Sequence, residues 1–168
     1  MGSEHAWKAL QQVNEWIRFA DAKAAAVLAA SGILGGLVAK SAPTSINFSS
    51  QPLVALLTVS ALAFVGGAVA LSLCVFAPAL NTGEPRSLLY FDHVARQYSQ
   101  SPRRFSEHLA TLLSHESDYT KQVAQQVWAN SVIARKKFRR VALAVYALGI
   151  AMACSGLALV VEGLQKAG

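Results

Sequence analysis

Residues 53–77 are 25 consecutive positions without a charged side chain, and Pro78 follows them directly. A run of that length covers the roughly 30 Å hydrocarbon thickness of a bilayer as one helix, at about 1.5 Å per residue. Two further apolar blocks flank it. Residues 141–161 match the same length. Residues 24–39 are only 16 long, but they extend backwards through Phe19 and Ala20 to give a span of about 20–39. The charges sit almost wholly between these blocks. The chain is 54% hydrophobic and 14% charged, against roughly 25% charged in soluble proteins, which leaves too little polar surface to cover a water-soluble core of this size. The expected fold is all-α: a multi-pass membrane protein of three transmembrane helices (20–39, 53–77, 141–161) plus a small helical bundle formed by residues 79–140, in a single domain over 1–168.

Helix signals inside 79–140 are readable. Ser87 is placed to cap a helix over 87–99, Ser101–Pro102 reads as an N-cap with proline at the first helical position, and a third helix starts near Ser117 and runs without a breaker into the last span. Upstream, Trp7, Leu10, Val13, Asn14 and Ile17 recur at helical spacing. They predict an amphipathic helix that lies on the membrane or packs on the 79–140 segment. Residues 41–52 hold two prolines, five Ser or Thr and no charge, and read as a short loop.

Ten of the fifteen Lys and Arg fall in 79–140, and Lys8, Arg18 and Lys23 precede the first span. The positive-inside rule therefore puts the N-terminus and the 79–140 segment in the cytoplasm, with the 41–52 loop and the C-terminal tail outside. The same rule accounts for the net charge of +6 without nucleic acid as a partner. A polar stretch of over 20 residues before the first apolar block does not read as a signal peptide, and Ala6 breaks the myristoylation pattern. Cys74 and Cys154 both lie in apolar blocks and imply neither a disulfide framework nor a metal.

Each polar constellation has two readings. Asp21 and Lys23 are an interfacial ion pair, or Asp21 belongs to a ligand or gating site, since a carboxylate near the bilayer is costly to keep there. The run Arg135, Lys136, Lys137, Arg139, Arg140 anchors anionic headgroups, or Arg135 or Lys136 turns inward to bind a phosphate. Tyr90, Phe91 and Trp128 pack the small core or stack a nucleobase. His93, His108 and His115 show neither metal-ligand nor catalytic-triad spacing, and no phosphate-binding glycine loop is present. The expectation is a chain that is not an enzyme and needs no cofactor or metal. Gly32/Gly36, Ala63/Gly67 and Gly149/Ala153 form small-xxx-small faces that permit oligomerisation.

Three stretches go further. WIRFADAK (16–23) opens the first span, LYFDHVA (89–95) follows the second, and VWANSVIARKK (127–137) leads into the third. In this order they resemble the transmembrane effectors of Pycsar, a bacterial anti-phage system, over roughly residues 12–155. The resemblance implies an inner-membrane effector that responds to cyclic CMP or cyclic UMP made by a partner pyrimidine cyclase. It would then impair the membrane to arrest or kill the infected cell; assembly as a homo-oligomer is expected from the small-xxx-small faces. It also draws attention to Asp21, Lys23, Asn130, Arg135 and Lys136, and next to Tyr90 and Phe91, as ligand-binding candidates. A membrane scaffold that binds a protein partner, and a holin-like pore former without a ligand, remain as alternatives.

Overall fold

The computed structural model describes residues 2–40, 48, 50–77 and 87–167. Most of the expected 41–52 loop, the Pro78 stop and the start of the basic segment lie outside the described residues. Among the described residues there are five helices: α1 Gly2–Ala39, α2 Pro52–Phe76, α3 Phe91–Tyr98, α4 Pro102–Ser114 and α5 Glu116–Ala167. The chain divides into two compact units. One comprises Met1–Phe19 with Pro78–Lys136, the other Ala20–Ala77 with Lys137–Gly168. Helices α1, α2 and α5 are each long and apolar enough to cross a membrane, so the all-α, three-span architecture stands.

In the apolar unit, parts of α1, α2 and α5 pack as three helices. At one end Asp21 pairs with Lys137 at 2.5 Å, Ala24, Val75 and Val141 form a buried cluster, and Arg140 Nη1 donates to the Cys74 carbonyl at 2.6 Å. At the other end Leu34, Val38, Val54, Thr58, Ser155 and Ala158 line one crevice of about 560 Å³. Residue numbers rise from the first end to the second on α1 and α5 and fall on α2, so α2 runs antiparallel to the other two. The last turn of α2 has no basic residue of its own. Arg140, reaching across from α5, meets one of the carbonyls that a helix C-terminus leaves without an intrahelical partner.

The inward faces of these helices are made of small residues. Along α1 the buried positions are Ala20, Ala24, Val27, Ser31 and Val38; along α2 they are Ala55, Thr58, Ala61, Val65, Ala68, Ser72 and Val75; along α5 they are Val141, Ala144, Ala151 and Ala158. The steps of three, four and seven keep one seam facing its neighbours. Ile33, Leu37, Leu73, Tyr146, Met152 and Leu159 point outwards. This distribution suits lipid: tails solvate large apolar side chains as well as other helices do, so close backbone approach through small residues holds such helices together. Two of the small residues are poorly provided for. Ser31 Oγ and Ser72 Oγ are fully buried with no hydrogen-bond partner, whereas Thr58 Oγ1 donates to the Val54 carbonyl at 2.9 Å and Ser155 Oγ to the Ala151 carbonyl at 2.8 Å.

The closest glycine contact is not on any of the expected small-xxx-small faces. Gly32, Gly36, Gly67 and Gly149 have open space where a Cβ would sit, but a Cβ on Gly35 would lie 3.1 Å from Val65 Cγ1. The stiff, buried Val65 has little freedom to yield. Gly35→Ala is therefore expected to destabilise the unit by about 1 kcal/mol. Gly36→Ala, one residue away, should gain roughly 0.5–1 kcal/mol from helix propensity. Unfolding in detergent followed by circular dichroism separates the two.

In the polar unit, Leu10 and Val13 of α1, Tyr98 of α3, Leu112 of α4 and Val123 and Ala134 of α5 supply the buried apolar side chains. The N-terminal amphipathic stretch thus packs within this unit. Ser101 holds the N-cap position of α4 with Pro102 in the first turn, as expected, but its side chain makes no cap bond; its carbonyl accepts from Phe105 N at 3.1 Å. The expected helix over 87–99 begins only at Phe91. Ser87 Oγ instead accepts from Leu89 N at 3.2 Å, the local side-chain bond by which serine competes with helix.

Candidate functional site

The candidate residues fall into two places. Asp21 and Lys23 belong to the apolar unit, and Tyr90, Phe91, Asn130, Arg135 and Lys136 to the polar one.

In the polar unit, helix α5 presents a line of amides to α1 and to the turn before α3. Ser87 Oγ donates to Gln126 Oε1 at 3.3 Å, Gln126 Nε2 donates to Asn130 Oδ1 at 2.9 Å, and Asn130 Nδ2 donates to Asn14 Oδ1 at 2.7 Å. Asn130 uses both ends of its amide inside the protein and ties α5 to α1. The turn is fixed twice more, by Leu88 N to Gln122 Oε1 at 3.3 Å and by Ser87 N to His93 Nδ1 at 3.3 Å. His108 is likewise engaged, 2.8 Å from the Tyr98 hydroxyl.

The aromatics depart from the expectation of a packed core. Tyr90 is half-buried and lies 4.9 Å, centroid to centroid, from both Phe91 and His93. Burial first, then the nearby Asp92 carboxylate, pushes the Tyr90 phenol up, against the lowering effect of Arg96, so the hydroxyl stays neutral at physiological pH. Phe91 is 69% exposed and Trp128 68% exposed. Both would have been counted into the core from composition; in an eight-residue helix and on a partly solvated face, the sides that Leu112, Tyr98 and Val123 occupy are already filled. Arg135 and Lys136 are also exposed. Trp128 and Arg135 are seven residues apart on α5, which puts an open aromatic face and a guanidinium on the same side of the helix, about 10 Å apart along its axis.

In the apolar unit the partner of Asp21 is Lys137, whose side chain is 14% exposed, against 33% for Asp21. Lys23 is exposed. Within the basic run, then, Lys137 turns inward to a carboxylate, Arg140 turns to a helix end, and Arg135 and Lys136 face outward. The signal that could have found Lys137 is the heptad. Asp21 lies seven residues after Asn14 and Lys137 seven after Asn130, so each helix carries polar side chains at successive equivalent positions of its seam. Asn14–Asn130 and Asp21–Lys137 each join residues 116 apart. Among the described residues, no group of three or more His, Cys, Asp or Glu is placed to hold a metal ion.

The family model described as the Pycsar effector protein domain matches residues 5–162. The chain belongs to the Pycsar effector family. A Pycsar effector protein of Micromonospora echinofusca is 54% identical over 48 residues, covering 29% of this chain and 81% of that relative. Another, from Propioniciclava tarda, is 26% identical over 139 residues, covering 81% of this chain and 68% of the relative. No solved structure matches significantly. The family match takes in all three span-capable helices and every candidate residue. The protein is therefore a membrane-type Pycsar effector, and the stretches that carry the resemblance fall in both units, residues 16–19, 89–95 and 127–136 in the polar one and 20–23 with Lys137 in the apolar one.

Proposed function

We propose that this chain, as one module, executes the response of an anti-phage abortive-infection system. Cyclic CMP or cyclic UMP from a partner pyrimidine cyclase acts on the polar unit, in the cytoplasm, and the spans then impair the inner membrane. The observation that carries the reading is the family match over residues 5–162 on a chain with three span-capable helices. The polar unit offers the chemistry a cyclic nucleotide needs: Arg135 and Lys136 for the phosphate, and Trp128, Phe91 or Tyr90 as a platform for the base. Helix α5 is one element of 52 residues, reaching from the first unit through the last span. A ligand that prefers one arrangement of this helix shifts the populations of the spans by its differential affinity. The open glycine positions Gly32, Gly36 and Gly149 leave flat outward faces for contact with further copies.

The test is dye release from vesicles holding the purified protein. Cyclic CMP or cyclic UMP should release the dye, and cyclic AMP should not. Arg135→Ala should raise the nucleotide concentration needed by about tenfold or more, as expected for a lost charge-assisted bond worth roughly 1.5–3 kcal/mol. Unchanged sensitivity sinks the phosphate role of Arg135. Release without any nucleotide supports the ligand-free pore former. The exposed Phe91 and Trp128 also suit a scaffold that binds a protein; that reading predicts no release in any condition.

A further inference from the structure

We propose that the seam between α1, α2 and α5 in the apolar unit is a latent water and small-ion pathway, closed in this structure and lined by Ser31, Ser72, Thr58 and Ser155. This rests on the reading that activation impairs the membrane, and it names the surface along which water would cross.

The large side chains of these helices face outward, and the inside of the seam is Ala, Val and hydroxyl. Small residues alone would mean only close packing. The separate observation is that Ser31 Oγ and Ser72 Oγ are fully buried and unpartnered. A serine in a membrane helix ordinarily satisfies itself on the carbonyl four residues back, as Ser155 does on Ala151. Two hydroxyls buried without a protein partner penalise the closed arrangement. Water admitted to the seam would remove that penalty.

The hydroxyls are also spread along the seam. Ser72 is three residues, about one turn, inside the Ala24–Val75–Val141 cluster. Ser31 is seven residues beyond Ala24, about 10 Å along α1. Thr58 and Ser155 line the crevice at the far end, together with Lys40, Gln51 and Glu162. At about 560 Å³ that crevice is roomy for several waters, each of which takes about 30 Å³. The near end is shut by the Asp21–Lys137 pair over the Ala24–Val75–Val141 cluster. Both ends therefore carry charged residues, hydroxyls are spaced along the interior among Ala and Val, and the Ala24–Val75–Val141 cluster lies between the Asp21–Lys137 pair and Ser72.

Cysteine accessibility tests this. Single Ser31→Cys and Ser72→Cys variants are made in a chain carrying Cys74→Ala and Cys154→Ala. They are reconstituted in phosphatidylethanolamine–phosphatidylglycerol vesicles and exposed to a small, charged, membrane-impermeant methanethiosulfonate. Two ways of opening are compared: cyclic CMP or cyclic UMP, and Asp21→Lys, which sets two ammonium groups against each other. Labelling at 31 and 72 should rise by about tenfold or more on opening, the ratio expected when a minor state becomes the major one. Ile33→Cys and Met152→Cys, on outward faces, should not respond. Leakage by either route with 31 and 72 still protected overturns the pathway. Leakage and labelling with Asp21→Lys but not with nucleotide overturns the activation reading and upholds the pathway. No leakage by either route overturns both.

Discussion

Asp21→Ala is expected to destabilise the protein in detergent by about 3 kcal/mol, because it leaves the Lys137 ammonium uncompensated in a site where the side chain is 14% exposed. The long lysine stem can bend toward a more polar level, which caps the loss. Lys137→Met should cost less, since Asp21 is 33% exposed and water already reaches it. The double variant Asp21→Leu/Lys137→Met removes both charges together and should recover most or all of the stability, as apolar replacements of buried ion pairs do elsewhere. Denaturant unfolding followed by circular dichroism gives all three values. A double variant as unstable as Asp21→Ala would show that the pair itself is not the source of the loss. The same pair closes one end of the hydroxyl-lined seam, so Asp21→Ala should also lower the nucleotide concentration needed for dye release.

Ala24→Leu is expected to be comparably damaging, by about 2–3 kcal/mol, for a reason of shape alone. Ala24 is fully buried against Val75 and Val141, and three added carbons have no room without displacing α2 or α5. Ala25→Leu is its control. Ala25 is exposed, so the added side chain meets lipid, and the change should stay within about 0.5 kcal/mol. Equal effects at the two positions would mean that the seam is not packed as described. Because overpacking wedges the helices apart, Ala24→Leu should also leak dye without nucleotide if the seam is the pathway.

Much of the fold is legible in the residues. The three spans follow from the length and apolarity of their blocks, because only a helix satisfies its own backbone in lipid. The continuity of α5 follows from the lack of any Gly or Pro breaker between Ser117 and the last span. The start of α3 was not legible, because Ser87 has two local uses for its hydroxyl and only the surrounding contacts choose between them. Nor was the exposure of Trp128 and Phe91. Aromatic character argues for burial, but burial needs a vacant site, and the polar unit fills its sites with Tyr98, Leu112 and Val123.

The candidate site divides in the same way. Its residue types and the stretches that hold them were readable: ADAK at 20–23 and NSVIARKK at 130–137. Which member of the basic run meets Asp21 was not, since Arg135, Lys136 and Lys137 are alike in charge and differ only in the direction each takes around the helix. By itself the sequence determined the spans and the family to which the chain belongs, because these depend on composition and order along the chain. Only the tertiary structure decided that Lys137 pairs with Asp21, that Gly35 rather than Gly32 or Gly36 meets a neighbouring helix, and that Ser31 and Ser72 are sealed in without partners. Each of these is a question of which face of one helix lies against another, and that is settled by packing three helices at once.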